Sequence, residues 1–362
     1  MYVYGDISSD ARVQRAANAL NDSYEVTVIS QQTNKQPQGY NFNNIQIGSP
    51  NNSLTSYFRS ILLAYSIIKK ERPYIVYGHD YYSALLLKLL IKRKFCHLII
   101  YDAHELYIPE KGKPLSRRAN FFYRIEKSIV NKVNLLICAN KQRGVIMKEH
   151  YNLLTSPVII RNISILSIKK DDATNRLLDS LAPFFSKEGK TIVYAGVVTK
   201  NRQVHRLFEA VERQFPKYKL LVVGDGDALP LLKERAAAST ITTHFTGKIP
   251  YSSLGTVLSK CDLGYIFYAT NNINNKYCAS NKIFEYASIG LPIIANDNPT
   301  IKEDLNKYQI GICSDNIEDC LEQMSGKEEL FKQNCAVFCS ENNWEEEKRK
   351  LIESINGLQE NH

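Results

Sequence analysis

No C-x-x-C pair and no zinc-ligand spacing occurs among the eight cysteines of this 362-residue chain, which removes the common structural metal folds. Several of the eight lie in apolar runs, where cysteine acts as a small hydrophobe, so free thiols in a reducing compartment are expected. Cys335 and Cys339, four apart on an expected helix, read as one packed face. No stretch approaches 18 uninterrupted apolar residues, and the first residues lack the basic and apolar regions of a signal peptide. The expectation is a cytoplasmic protein that does not span a membrane. No zinc-finger, homeodomain or RNA-recognition signature appears, so no nucleic-acid partner is expected. The dinucleotide fingerprint G-x-G-x-x-G is missing after the first strand.

What is present is an ordinary globular composition, 44% apolar and 23% charged, at a length that favours two domains. The net charge of +9 is uneven. Residues 1–170 hold 24 Lys and Arg against 11 Asp and Glu, an excess of 13, while the remainder carries −4. Such asymmetry points to an anionic partner for one half. Two segments concentrate it, YFRSILLAYSIIKKER (57–72) and KGKPLSRRANFFYRIEKSIVNK (111–132). Both set apolar and aromatic residues at helical spacing beside cations, as membrane-surface helices do.

Short apolar strands alternate with helical patterns through residue 160: a strand at 1–4, a helix at 10–20, a strand at 25–29, then a Gln/Asn-rich loop to 52. Residues 163–189 are polar without a clear period and read as a linker, after which the alternation restarts at 191. Two parallel, doubly wound sheets follow, each binding ligands beyond its strands' carboxyl ends; facing each other, they would make one cleft. The strand ends carry the candidate chemistry. Gly5 permits a tight turn, and Asp10 and Arg12 beside it are expected to pair locally. His104, in YDAHEL, follows an apolar strand and could orient a sugar hydroxyl. Gly196 opens a polar loop in which Lys200 and Arg202 could neutralise a diphosphate. In HFTGKIP, Gly247, Lys248 and Ile249 leave backbone groups free to meet a base edge. The segment SNKIFEYASIGLPIIA (280–295) reads as a helix with a polar opening, one acid at Glu285 and a Gly-x-Pro stop. A helix start holds phosphate, and Glu285 one turn inside could accept from vicinal hydroxyls.

With these motifs, SDARVQRAANAL, YDAHELY, YAGVVTKNR, KLLVVGDGD, HFTGKIP and NKIFEYASIGLPIIAND, the chain resembles the bacterial members of glycosyltransferase family 4 nearly end to end. The resemblance implies an α/β GT-B fold, two Rossmann-like domains facing across a cleft. An acceptor-side domain would span 1–165 and a nucleotide-sugar domain 166–340, with a helix at 341–362 returning to the first. It implies transfer with retention from a nucleotide-diphosphate sugar, UDP-sugar or GDP-sugar, to a saccharide or lipid-linked acceptor in surface polysaccharide or glycolipid synthesis. It assigns Glu285 to the ribose hydroxyls as the second Glu of E-x7-E, and Ser280, Asn281 and Lys282 to the donor's sugar and phosphates. Arg202 takes the phosphate-binding Lys position, Gly247 to Ile249 the base, and His104 the transferred sugar. Tyr277 stands where the first Glu of E-x7-E would be, and Val197 where a diphosphate-binding Arg would be. No cofactor is expected, and no metal, since no D-x-D element stands beside that site. The basic first half favours peripheral contact with an anionic membrane, on the inner face of the cell membrane. Two other readings stand beside this one: a non-catalytic nucleotide-sugar-binding subunit, motivated by Tyr277 and Val197, and a nucleotide-sugar epimerase on the same fold.

Overall fold

The structure, a computed structural model, describes residues 1–32, 40–48 and 53–359. Contacts divide the chain into two units, Met1–Asn162 with Trp344–His362, and Ile163–Asn343.

The first unit runs α1 (Ala11–Asn21), β1 (Thr27–Gln31), β2 (Asn43–Ile47), α2 (Leu54–Glu71), β3 (Ile75–His79), α3 (Asp80–Arg93), β4 (Leu98–Ala103), α4 (Arg117–Ile129), β5 (Leu135–Cys138), α5 (Lys141–Tyr151) and β6 (Val158–Ile159). Residues β3 to β6 form one parallel ladder and β1–β2 a second. The first residues join them without forming a full strand: Tyr2 N donates to Tyr77 O, His79 N to Tyr2 O and Ile29 N to Met1 O, at 2.8, 3.0 and 2.8 Å. Counting that segment as a strand, the order is doubly wound, reversing direction beside β3. Four of these helices begin where a short polar side chain takes an otherwise unpaired N–H: Asp10 caps α1, Ser53 α2, Ser116 α4 and Asn140 α5, while α3 starts after His79 without a side-chain cap. The Gln/Asn-rich segment expected as a loop to residue 52 contains β2; the alternation of Ile45 and Ile47 with polar partners suits a strand at a sheet's edge. Part of that loop, 33–39 and 49–52, lies outside the described residues.

The second unit runs α6 (Asp172–Phe185), β7 (Lys190–Ala195), α7 (Val204–Arg213), β8 (Tyr218–Val223), α8 (Leu229–Ala237), β9 (Thr243–Gly247), α9 (Tyr251–Leu258), β10 (Leu263–Ile266), α10 (Ile273–Lys276), α11 (Asn281–Ser288), β11 (Ile293–Ala295), α12 (Pro299–Tyr308), β12 (Gly311–Cys313), α13 (Ile317–Met324) and α14 (Glu328–Glu341). Its parallel sheet has the order β9-β8-β7-β10-β11-β12, so winding reverses between β7 and β10. Fully buried strands, such as YKLLVV in β8, carry helices on both faces. Both units are Rossmann-like.

The expected linker at 163–189 is corrected. Asp171 caps α6 through Thr174 N, and Leu177, Leu178, Leu181 and Phe184 form its packing stripe on the second unit's core. The unit boundary falls after Asn162, since Ile163 is already in that core and Ser164 Oγ bonds the Tyr251 hydroxyl at 2.6 Å. The second unit extends to Asn343. The last helix, α15 (Trp344–Gln359), packs on the first unit: Tyr24 OH donates to Asn356 Oδ1 at 2.6 Å, and Arg161 N to Glu347 Oε2 at 2.7 Å.

Candidate active site

The second unit gathers its polar groups at the switch point between β7 and β10. Gly196, directly after β7, has φ +142°, and a Cβ there would lie 2.7 Å from Lys282 Nζ. Gly224, after β8, has φ +131°; a Cβ would come within 1.9 Å of the Gly196 carbonyl oxygen. The two loops therefore pack backbone against backbone, with Gly196 N donating to Val223 O at 2.8 Å. Only glycine meets both demands, positive φ and no side chain.

Helix α11 is fixed against this turn by its buried face. Tyr286 OH accepts from Ala195 N at 3.2 Å and its ring lies over Gly264 of β10. Ile283, Phe284 and Ala287 fill the core, which leaves Lys282 and Glu285 half-buried on the opposite side. At the helix start, Ser280 makes no capping bond. Its Oγ, with the Tyr268 phenol nearby, and the Asn281 Oδ1 are buried without a hydrogen bond of normal geometry. Two buried polar atoms left open beside free helix N–H groups form an unfilled polar cradle.

The cations stand around it. Arg202, in a single turn of 3-10 helix (Lys200–Arg202), stacks its guanidinium 4.0 Å from the Tyr268 ring centroid and donates Nη1–H to Phe267 O at 3.3 Å. Tyr268 is itself held by Asn296, which exchanges two bonds of 3.0 Å with its backbone. Burial pushes the Lys282 ammonium down to about 8, helped by the Arg202 charge and opposed by Glu285. Neither cation has an ion pair among the described residues, so an anion placed there would be welcomed by both. Lys200 is exposed to solvent. Glu285 Oε1 accepts from the Tyr251 phenol at 3.0 Å. Gly247 ends β9 at φ +67° with open space around it, Lys248 is exposed, and Ile249 packs on the core. Tyr277 caps α10 with Lys276 Nζ 5.5 Å from its ring centroid, a phenol where a carboxylate was sought.

His104 lies in the first unit, one residue past β4, within a cluster that sequence reasoning largely missed. Asp102 accepts from Arg12 twice, at 2.7 and 3.0 Å, and from Tyr77 OH at 3.2 Å. His104 Nε2 stands 3.5 Å from Asp102 Oδ2 and 3.3 Å from His79 Nδ1. Arg143 donates to the His104 carbonyl. Burial opposes charge on Asp102, yet Arg12 and then His104 outweigh it and hold the carboxyl well below its ordinary range. Burial likewise opposes His104, and Asp102 outweighs it, so His104 titrates above an ordinary histidine. For His79 burial wins and drives it down to about 4. The signal was available in part: Asp102 and His104 are two apart where β4 ends, and His79 ends the adjacent strand in register with Asp102. Arg12, ninety residues away, gave none.

Two expectations at this unit are corrected. Asp10 and Arg12 do not pair; Asp10 Oδ1 accepts from Val13 N as the cap of α1, which leaves Arg12 to reach inward to Asp102. Gly5 has no neighbour within 4 Å of a Cβ and no positive φ, so the turn does not require glycine there. His79, Asp102 and His104 do bring possible ligand atoms within 4.8 Å of one another, the one such group among the described residues. Arg12 engages both Asp102 oxygens, which suits a hydrogen-bonded cluster better than a cation site. The premise that no D-x-D element stands beside the second-unit site is corrected: Asp225-Gly226-Asp227 is one, in the turn that follows β8, where Gly224 packs on Gly196, and Asp225 Oδ1 accepts from Gly226 N at 2.8 Å.

Residues 7–140 match the family profile described as glycosyl transferase 4-like, and residues 182–325 the one described as glycosyl transferases group 1. No curated protein sequence matches the chain. Among solved structures the chain is similar to sucrose-phosphate synthase from Thermosynechococcus elongatus, at 14% identity and TM-score 0.74 over 97% of this chain and 93% of that one. HepE of Anabaena, solved in complex with UDP-glucose, matches at 11% identity and TM-score 0.72 over 98% and 99%. WaaG, a glycosyltransferase involved in lipopolysaccharide biosynthesis, matches at 14% and 0.69 over 96% and 95%. The fold is GT-B, and with both of its units matched by glycosyltransferase profiles the chain belongs to the glycosyltransferases.

Proposed function

We propose that the protein transfers a sugar, with retention at the anomeric carbon, from a nucleoside-diphosphate donor to a saccharide or lipid-linked acceptor in surface polysaccharide or glycolipid synthesis. The observation that carries the reading is the start of α11. There Asn281 Oδ1 lies buried and open, Lys282 presses on Gly196, Arg202 lies near enough to depress its pKa, and Glu285 follows one turn later. The diphosphate takes the helix N–H groups, Lys282 and Arg202, and Glu285 takes the ribose hydroxyls in place of the Tyr251 phenol. The turn from Gly247 to Ile249 faces the base. His104 orients a hydroxyl of the transferred sugar. A UDP-sugar is the first donor to try, since the similar HepE structure holds UDP-glucose.

In the reaction the bond between the anomeric carbon and the phosphate oxygen breaks, leaving an oxocarbenium-like sugar. The acceptor oxygen bonds that carbon from the same face, and its proton passes to the departing phosphate. Charge develops on the phosphate, where Arg202, Lys282 and the α11 N–H groups are already aimed. Removing one such preorganised donor costs about 3–4 kcal/mol of barrier.

Glu285→Ala tests the assignment. Losing hydrogen bonds to a charged group costs about 1.5–3 kcal/mol, so donor affinity or turnover should fall by roughly 10- to 150-fold. Unchanged kinetics would remove Glu285 from the site. The non-catalytic reading keeps one observation, that the side chain of Val197 supplies no charge and lies exposed. Slow hydrolysis of donor by the pure protein without acceptor would dismiss it.

A further inference from the structure

The first unit carries an apolar ridge whose surroundings are almost wholly cationic. On α2, Leu54, Phe58 and Leu62 follow one another at four-residue steps and are 56%, 43% and 65% exposed. Their i, i+4, i+8 spacing sets them in one row along the solvent face, while Tyr57, Ile61, Ala64 and Ile68 hold the opposite face in the core. The ridge continues onto α4, where Phe121, 40% exposed, meets the Phe58 ring at 6.4 Å between centroids. Along α4, Arg117 and Arg124 sit about one turn before and one turn after Phe121 on the exposed side, and Arg118 and Lys127 are exposed as well. On α2, Arg59, Lys69 and Lys70 are exposed. The acids are placed elsewhere. The single acid of α4, Glu126, is buried beneath the Tyr101 and Tyr151 hydroxyls, and the single acid of α2 is its last residue, Glu71.

From this arrangement we infer that the α2–α4 face docks on an anionic phospholipid bilayer. The inference deepens the lipid-linked acceptor of the proposed function and rests on that reading for its purpose, though not for its geometry. Three large apolar side chains in a row on α2, joined by Phe121 of α4, suit insertion about 5–10 Å into the headgroup boundary, and the flanking cations suit the phosphates above it. Each Lys or Arg held near an anionic leaflet adds roughly fivefold to partitioning at moderate ionic strength. A second copy of the chain is the wrong occupant, because two such faces would set arginines against arginines. Nucleic acid has no use for exposed leucines at the crest of the ridge.

Flotation of the full chain with phosphatidylcholine vesicles, and with vesicles containing about 30% phosphatidylglycerol, tests the proposal at low and at high salt. The protein should float with the anionic vesicles at low salt, and raising the salt should reduce bound protein at least about tenfold. The pair Phe58→Glu and Leu62→Glu should abolish flotation, while Leu231→Glu on exposed α8 of the other unit leaves it unchanged. Equal binding to both vesicle types, no binding to either, or flotation insensitive to the paired substitution would overturn the proposal. So would flotation only in the presence of an added acidic protein. A parallel nucleotide-diphosphate thermal shift separates the two readings, since the ridge variants should retain it. A shift without vesicle binding would defeat the docking surface alone, and vesicle binding without a shift would defeat the donor site alone.

Discussion

Asp102 sets the charge state of the residues around it. Its carboxyl is held down in the folded chain, so its stabilising contribution is present above the unfolded value near 4 and lost as pH falls through the folded one. His104 is raised; its contribution is complete below about 6.5, the unfolded value, and lost as pH rises through the folded one. His79 is depressed to about 4, so between about 6.5 and 4 the unfolded chain takes up a proton that folded His79 refuses. In that window the His104 contribution is already complete and constant, so the His79 loss stands unopposed. Asp102→Asn should remove the charge that raises His104 and leave burial to depress it, so that both histidines refuse a proton below about 6.5. Breaking a buried ion pair costs about 3–5 kcal/mol, so a lower midpoint in urea is expected. The distinguishing result is a steeper fall of stability between pH about 6.5 and 4, with the His104 imidazole resonance titrating at lower pH. An unmoved His104 titration would contradict the role given to Asp102. Sequence reasoning found His104 by its place at a strand end, yet not Arg12, because only the folded chain brings a helix residue ninety positions away against it.

At the scale of elements, most of the alternation was legible because buried parallel strands are short apolar runs that helices with clear stripes separate. YKLLVV and LGYI advertise themselves; β2, a polar edge strand, does not. Helix α6 was missed since its stripe of Leu177, Leu181 and Phe184 is diluted by Asp, Ser and Asn, and only the Asp171 cap marks its start. The polar start of α11 was legible in SNKIFEY, whereas the dependence of the neighbouring loop on the glycine after β8 was not, since Gly224 looked like an ordinary turn residue. Gly224→Ala makes that dependence measurable. A left-handed backbone costs about 1–3 kcal/mol for a residue with a side chain, and overpacking about 1–3 kcal/mol more. With a Cβ 1.9 Å from the Gly196 oxygen, the loop after β7 has to move, so both the urea midpoint and nucleotide affinity should fall together. A variant with both unchanged would show that the two loops are not coupled.

Over the whole molecule, the chain divides its labour by charge and by unit. The excess of positive charge in residues 1–170 had been visible in composition, and the structure resolves it into the exposed faces of α2 and α4. The second unit, neutral over residues 163–343, keeps Arg202 and Lys282 inside at the switch point of its sheet. No helix among the described residues is long and apolar enough to cross a membrane. The account therefore turns on whether that interior cation pair receives a nucleoside diphosphate. A thermal-shift titration of the intact chain with UDP, GDP, ADP and CDP, repeated at about pH 7 and about pH 9, asks this directly. Ligand at 100 times its dissociation constant should add about 2.7 kcal/mol of stability. One diphosphate, UDP first among them, should raise the midpoint, and its affinity should fall as pH rises through about 8, where Lys282 gives up its proton. No shift with any of the four at either pH would contradict the donor site.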